Sequence, residues 1–176
     1  MDEKFLNQFL LSEPDPAFAR RARTIFCNLN LTGNERILDL GCGRGFYLNV
    51  LSEYLPNLDL YGVDSNERYL SVAKINMSSK KINLINSSAN SLPFKSNFFD
   101  RIISTEVLEH IDDDKKPIEE IYRVLKPGGK AIITVPNKNY PFLWDPLNWL
   151  LEGIFKVHTP SNIWWLAGIW ADHERL

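Results

Sequence analysis

Short apolar runs alternate with amphipathic segments between residues 36 and 135, and this alternation limits the fold more than any other feature. Strands that are almost continuously apolar are buried on both faces, which is typical of parallel sheets covered by helices. Right-handed crossovers then give a doubly wound α/β arrangement of about five mostly parallel strands. The predicted strands are 37–40, 58–63, 82–86, 101–104 and 130–135, and the predicted helices are 16–29, 47–55, 66–78 and 118–125, with a shorter helix before residue 11.

The turn after the first predicted strand is rich in glycine. It reads LDLGCGRG, so Gly41 and Gly43 let the backbone turn sharply and leave room for a ligand against the main chain. A nicotinamide dehydrogenase needs a third glycine at position 46, which is Phe46 here. The carboxylate of Asp39 at the strand end is unfavourable beside a pyrophosphate but suits a ligand with an ammonium and a sulfonium.

The second predicted strand ends at Asp64, and parallel strands bring this end next to the glycine-rich turn. A carboxylate there can accept two hydrogen bonds from a ribose diol. The alternative is that Asp64 caps the helix that starts near Asn66, a role that Ser65 could fill equally well. Convergence of three such turns on one site favours the ribose role.

Six segments resemble, in order, the class I S-adenosylmethionine-dependent methyltransferases, in particular the group that includes the ubiquinone and menaquinone biosynthesis enzymes. The segments are ILDLGCGRGF (37–46), YGVDSN (61–66), SANSLPF (88–94), FDRII (99–103), VLEHI (107–111) and VLKPGG (124–129). The resemblance covers residues 35–137 and implies a Rossmann-like sheet and methyl transfer from S-adenosylmethionine, which leaves S-adenosylhomocysteine as product. It also implies a seven-stranded sheet, of which we count five strands here, and therefore a C-terminally shortened domain that lacks the usual last two strands.

The resemblance assigns cofactor-binding residues to four strand ends: Asp39, Gly41, Cys42 and Gly43 at the methionine end, Asp64 and Ser65 at the ribose, Ser88 and Ala89 beside the adenine, and Thr105 and Glu106 closing the site. The family often has Asp where this chain has Ser88. Serine is shorter and uncharged, so we expect a weaker contact there, or one made by Asn90 or a backbone carbonyl.

His110 is the candidate general base, because it follows the fourth strand where the methyl acceptor should lie. The alternative is a capping or packing histidine before a helix that starts at residues 112–114. The locations of His158 and His173 are not fixed by any pattern. Three consecutive aspartates at 112–114 complement a helix dipole, so we expect no metal. A cluster of Arg20, Arg21 and Arg23 is interpreted as a solvated helix face.

Composition bounds the remaining choices. The net charge of −2 favours no nucleic-acid partner, and the two cysteines have neither metal-ligand nor disulfide spacing. We find no signal-peptide pattern and no apolar run long enough to cross a bilayer, so we expect a cytoplasmic protein. We predict a helical segment at 1–34, a cofactor-binding core at 35–137 and a tail at 138–176.

All five tryptophans lie in the tail, which shows helical periodicity. Three roles stay open: packing over the sheet, a wall for an apolar or lipid-like acceptor, and peripheral contact with a membrane surface. We expect strand five to be a sheet edge that invites self-association, and turnover to be weak. The predicted function is methyl transfer to a small molecule; the alternative is a catalytically silent cofactor- or partner-binding module. The acceptor and the oligomeric state stay undetermined.

Overall fold

A computed structural model describes residues 1–11, 13–77 and 81–135 of the 176-residue chain. The described part contains five parallel strands in the order β3-β2-β1-β4-β5, which confirms the predicted Rossmann-like α/β fold. The strands are β1 (Arg36–Leu40), β2 (Asp59–Asp64), β3 (Ile82–Asn86), β4 (Phe99–Thr105) and β5 (Leu125–Thr134). The α-helices are α1 (Glu3–Leu10), α2 (Pro16–Asn28), α3 (Phe46–Tyr54), α4 (Glu67–Asn76) and α5 (Lys115–Val124).

The two N-terminal helices pack onto the same core as the sheet. Helix α2 begins where predicted, because the Asp15 carboxylate accepts a hydrogen bond from the Ala17 amide at 2.8 Å and Pro16 occupies the first turn. Apolar side chains of both helices are buried together with those of α3 and α4, including Leu6 and Phe26. A second apolar cluster, with Leu92, Ile121 and Val124 among its members, covers the opposite face of the sheet beneath α5. Helices therefore cover both faces, as in a doubly wound fold.

The start of the fifth strand differs from the prediction. Helix α5 ends at Val124, but β5 begins at Leu125 rather than at residue 130. Leu125 pairs with Phe99 and Lys130 pairs with Arg101, so the intervening segment forms an irregularity within the strand. Gly128, at a φ of +76°, turns the backbone there, and the Lys126 ammonium contacts both carboxylate oxygens of Asp100 at 2.8 Å. Residues 126–129, which contain a proline and two glycines, follow the end of the helix and bulge the strand.

Several predictions fall on residues 136–176 and lie outside the described residues: the helical tail, its tryptophans, and the histidines at 158 and 173. The division into segments at 1–34, 35–137 and 138–176 stays a prediction. Within the described part of the chain, no helix is long and apolar enough to cross a membrane.

Candidate functional site

A cleft of about 420 Å³ opens at the carboxyl edge of the sheet, where the turns after β1, β2, β3 and β4 converge. Ligands of open α/β sheets bind in such crevices. Of the residues that the sequence assigned to the site, those lining the cleft are Gly41, Gly43, Asp64, Ser65, Ser88, Ala89, Glu106 and His110. Asp39, Cys42 and Thr105 lie behind this surface.

The glycine-rich turn forms the floor of the cleft. Gly41 and Gly43 both adopt left-handed backbone conformations, with φ of +75° and +51°. A Cβ atom at Gly41 would collide with the Val107 side chain, whereas a Cβ atom at Gly43 would meet nothing within 4 Å. Gly41 therefore allows the turn to pack against the segment after β4, and Gly43 leaves its main chain open to a ligand.

Asp64 connects the ends of β1 and β2. Its Oδ2 accepts a hydrogen bond from the Gly43 amide at 2.8 Å, and its Oδ1 accepts one from the Asn66 amide at 2.8 Å. The alternative role as a helix cap is wrong for both Asp64 and Ser65, because the Asn66 side chain caps α4 by accepting from the amides of Arg68 and Tyr69. The Asp64 carboxylate keeps lone pairs toward the cleft that it lines.

The turn after β3 supplies one wall of the cleft through residues 87–90. The Ser88 Oγ accepts a hydrogen bond from the Asn90 amide at 3.2 Å, and the Ser88 carbonyl accepts one from the Ser91 amide at 3.1 Å. Serine thus shapes the turn itself, while the Asn90 that it orders also lines the cleft. Both residues discussed for the adenine contact therefore border the cleft.

Asp39 is fully buried behind the glycine-rich turn, and neither carboxylate oxygen has a hydrogen-bond partner among the described residues. Burial, followed by the charge of Asp64, raises its pKa to about 8. On the adjacent strand β4, the Ser104 hydroxyl is also buried and without a partner in the described part of the chain. An unsatisfied carboxyl and an unsatisfied hydroxyl at this depth are costly, which favours a polar ligand group near them, and a cationic group would stabilise the ionised form of Asp39.

Arg21 of α2 is a site candidate that the sequence analysis missed. Its guanidinium lies 3.5 Å from the Glu106 carboxylate, and its Nε is buried without a hydrogen-bond partner among the described residues. The interpretation of the arginine cluster as a solvated face is therefore wrong for Arg21. The signal was its spacing: Arg21 is three residues after Phe18 and four before Ile25, on the buried stripe of the helix.

The Tyr47 hydroxyl is buried within reach of the Arg21 and Thr105 side chains, both of which act on its pKa, but no hydrogen bond of good geometry satisfies it among the described residues. Burial raises the pKa of Tyr47 to about 12, although the charge of Arg21 acts in the opposite direction. The hydroxyl therefore stays protonated and is available as a donor. Tyr47 thus lies between two charged groups, because the charges of Arg21 and of Asp39 both act on its hydroxyl.

Glu106 follows β4 in a left-handed conformation with a φ of +54°, which is strained for a side chain of this size. Its amide donates to the Thr134 carbonyl at 3.0 Å, and its Oε1 accepts from the Thr134 hydroxyl at 3.3 Å. The Cys42 side chain instead packs into the apolar core near Gly62, and burial raises the pKa of its thiol. Cys42 can thus meet a ligand in the cleft only through its main chain.

His110 ends a 3-10 turn, Leu108–His110, and lines the cleft with its side chain 47% exposed. Its Nε2 lies 3.9 Å from the Glu109 carboxylate. The capping alternative is not what the structure has, since Asp114 occupies the N-cap position of α5. In the described ranges, no group of three or more His, Cys, Asp or Glu side chains is arranged to hold a metal ion.

Comparison with known proteins connects this cleft to a chemistry. The profile of a family described as a methyltransferase domain matches residues 38–133, more than half of the chain. An uncharacterized methyltransferase of Bacillus subtilis is 35% identical over 61% of this chain and 59% of its own length. A ubiquinone/menaquinone biosynthesis C-methyltransferase of Desulfotalea psychrophila is 34% identical over 63% of this chain and 47% of its own length.

A solved structure extends the comparison to the fold. Phosphoethanolamine N-methyltransferase 2 of Haemonchus contortus, determined in complex with S-adenosyl-L-methionine, superposes with a TM-score of 0.61 and 30% identity over 66% of this chain and 28% of that one. The chain spans about half the length of the curated relatives described above. Residues 38–133, which match the family profile, include all the residues that line the cleft.

Proposed function

The chain belongs to the S-adenosylmethionine-dependent methyltransferase domain family, and we propose that it binds S-adenosylmethionine in the cleft and transfers the methyl group to a small-molecule acceptor. One observation carries the proposal beyond family membership. Buried acceptor groups on β1 and β4 and buried donor groups on α2 and α3 have no hydrogen-bond partner of good geometry among the described residues, and such a set matches the two charges of an α-amino acid. The methionine end of the cofactor carries that pair of charges.

The residues present fit the whole cofactor. Asp39 and Ser104 would accept hydrogen bonds from its ammonium group, and Arg21 and Tyr47 would donate to its carboxylate. Asp64 would accept from the ribose hydroxyls, while the turn at 87–90 would border the adenine. The open face of Gly43 leaves the main chain free to approach the ligand. In this arrangement Cys42 and Ser65 contribute main-chain groups or neighbouring surface, and Thr105 and Glu106 support Tyr47 and Arg21.

When bound, S-adenosylmethionine supplies a methyl group already activated by its sulfonium. The chain's own contribution is therefore to orient the ligand and the acceptor and to exclude water, which can amount to about 7–11 kcal/mol of the barrier in favourable cases. His110 lines the same cleft and is half-exposed, so its imidazole would accept a proton from an oxygen or nitrogen acceptor. Glu109, 3.9 Å away, would stabilise the resulting imidazolium.

The name of one relative and the tryptophan content of the tail support a class of methyl acceptor. A relative named for ubiquinone and menaquinone biosynthesis supports a small ring-containing acceptor, and the tryptophan-rich tail supports one that is apolar or lipid-like. The net charge of −2 favours no nucleic-acid partner. We include cytoplasmic location and peripheral membrane contact through the tail in this proposal.

Transfer itself is tested by incubating the full chain with S-adenosylmethionine labelled in the methyl group and with apolar and polar small-molecule extracts separately. We expect label to move into a product of the apolar extract, and S-adenosylhomocysteine to suppress that transfer. Identification of the labelled product then names the acceptor. Retained binding of S-adenosylhomocysteine with no transfer to either extract would contradict methyl transfer and support the silent module instead.

A further inference from the structure

Residues 87–91, here named the wall turn, include the residues 87–90 that line the cleft, and hydrogen bonds hold the chain on both sides of them. At its start, the Ser87 amide donates to the Asp64 carbonyl at 3.2 Å. The Asn86 side chain also donates to the carbonyls of Asp64 and Ser65, at 3.1 and 3.0 Å. This end of the wall turn is therefore tied to the end of β2, where the ribose is proposed to bind.

The segment that follows the wall turn, residues 92–94, is held by helix α5. The Leu92 amide donates to Glu120 Oε2 at 2.6 Å. The Arg123 guanidinium donates to the Leu92 carbonyl at 3.0 Å and to the Phe94 carbonyl at 2.6 Å. Two side chains of one helix thus satisfy both backbone polar groups of Leu92, whose own side chain is buried against that helix.

Glu120 and Arg123 also bind each other. Arg123 Nε contacts Glu120 Oε1 at 2.6 Å and its NH2 group contacts Glu120 Oε2 at 2.8 Å, a bidentate pair one helical turn apart. Hydrogen bonding to Arg123, against burial and together with the Leu92 amide, lowers the pKa of Glu120. The planar guanidinium has donors left for two carbonyls while it binds the carboxylate, which a lysine ammonium cannot match in geometry.

Neither side chain is among those that line the cleft. If the Glu120–Arg123 pair only added surface charge, its contribution to the stability of the fold would be small, as for most exposed ion pairs. Its hydrogen bonds instead go to the chain segment that continues directly into the wall turn. Breaking them would free one end of the wall turn, so that fewer molecules would hold the ligand-binding conformation before ligand arrives.

We propose that Glu120 and Arg123 are positioning residues that hold the wall turn in the conformation that receives the nucleoside half of the ligand. This inference rests on the proposed function for the identity of that ligand. It predicts that substitution of either residue, although both lie outside the cleft lining, weakens the binding of the adenine and ribose half of the ligand. If only about one tenth of the molecules hold the ligand-binding conformation in the absence of the pair, the dissociation constant becomes about tenfold larger.

The test uses Arg123→Met in the full chain, with Glu120→Gln as a second variant should the first not fold. Calorimetry well below the melting temperature measures binding of S-adenosylhomocysteine and of 5′-methylthioadenosine, which has the nucleoside but no amino acid end. We expect both ligands to bind about tenfold more weakly, with Arg123→Lys between wild type and Arg123→Met. Hydrogen exchange of the amides at 87–92 should become faster.

Lys126→Met is the matched control, because Lys126 and Asp100 form an ion pair of similar exposure that has no hydrogen bond to the wall turn or to residues 92–94. We expect it to lower the melting temperature and leave both dissociation constants unchanged. Unchanged binding by Arg123→Met and Glu120→Gln, or an equal loss in Lys126→Met, would overturn the inference. If wild type binds neither ligand, the proposed function fails, and the hydrogen-exchange comparison still decides whether the pair orders the wall turn.

Discussion

Replacing Asp64 with alanine should weaken binding of S-adenosylhomocysteine by on the order of ten- to a hundredfold, because hydrogen bonds to a charged acceptor contribute about 1.5–3 kcal/mol. The same substitution removes the acceptor of the Gly43 and Asn66 amides, so the glycine-rich turn also loses its link to β2. Calorimetric titration of the purified variant measures the loss. We expect the domain to stay folded, since Asn66 rather than Asp64 caps α4.

Asp59→Ala is the control on the same strand. Asp59 lies at the opposite end of β2 and contacts Arg36 at 2.7 Å, far from the turn at Gly43. We expect Asp59→Ala to lower the stability of the fold and to leave the dissociation constant of S-adenosylhomocysteine unchanged. Equal affinity of Asp64→Ala and wild type would remove Asp64 from the ribose site and leave it a structural role in the turn.

The second large effect is a pH dependence of cofactor binding that comes from Asp39. The pKa of this buried carboxyl is raised to about 8, so the free protein holds it protonated at neutral pH. A cationic ammonium beside it favours the carboxylate, and binding must then release a proton. Affinity should rise with pH as long as the pH is below the raised pKa, by roughly 20-fold between pH 6 and pH 7.5.

Calorimetry in buffers of different ionisation enthalpy should report release of close to one proton per bound S-adenosylhomocysteine at pH 7. Other titratable groups face the same region, namely Asp64, Tyr47 and the Cys42 thiol. Asp39→Asn separates them, because it should abolish both the proton release and the rise in affinity. Asp64→Asn should keep the rise but shift it to lower pH, since the Asp64 charge helps to raise the pKa of Asp39. A pH-independent dissociation constant in wild type would show that no cation approaches Asp39.

The parts of the fold that sequence alone predicted depend on local periodicity. Apolar runs of strand length between helical stripes gave the parallel sheet, and the turn at 41–45 with Asp64 gave the location of the cleft. These features depend on spacing within one element or on the shared edge of parallel strands. The cap of α4 is not identifiable from the sequence, because Asp64, Ser65 and Asn66 are all good capping residues. Only the backbone geometry selects Asn66 among them.

Local sequence patterns do not predict contacts between side chains that are distant in sequence. Arg21 is distant in sequence from Glu106, and only the packing of α2 beside the end of β4 brings their side chains together. Glu120 and Arg123 likewise contact residues 92–94, next to the wall turn, only through tertiary packing, although their spacing predicts an ion pair on one helix face. Residues 126–129 predict only an interruption of regular structure, because the missing amide donor of Pro127 and the left-handed conformation open to Gly128 end helices and bulge strands alike.

The claim that the cleft is built for S-adenosylmethionine is tested most directly by titrating the wild-type chain with S-adenosylhomocysteine and with NAD under the same conditions. The turn with Phe46 in place of a third glycine, and the unsatisfied Asp39 behind it, predict that S-adenosylhomocysteine binds and that NAD binds far more weakly. Tighter binding of NAD than of S-adenosylhomocysteine would contradict the account.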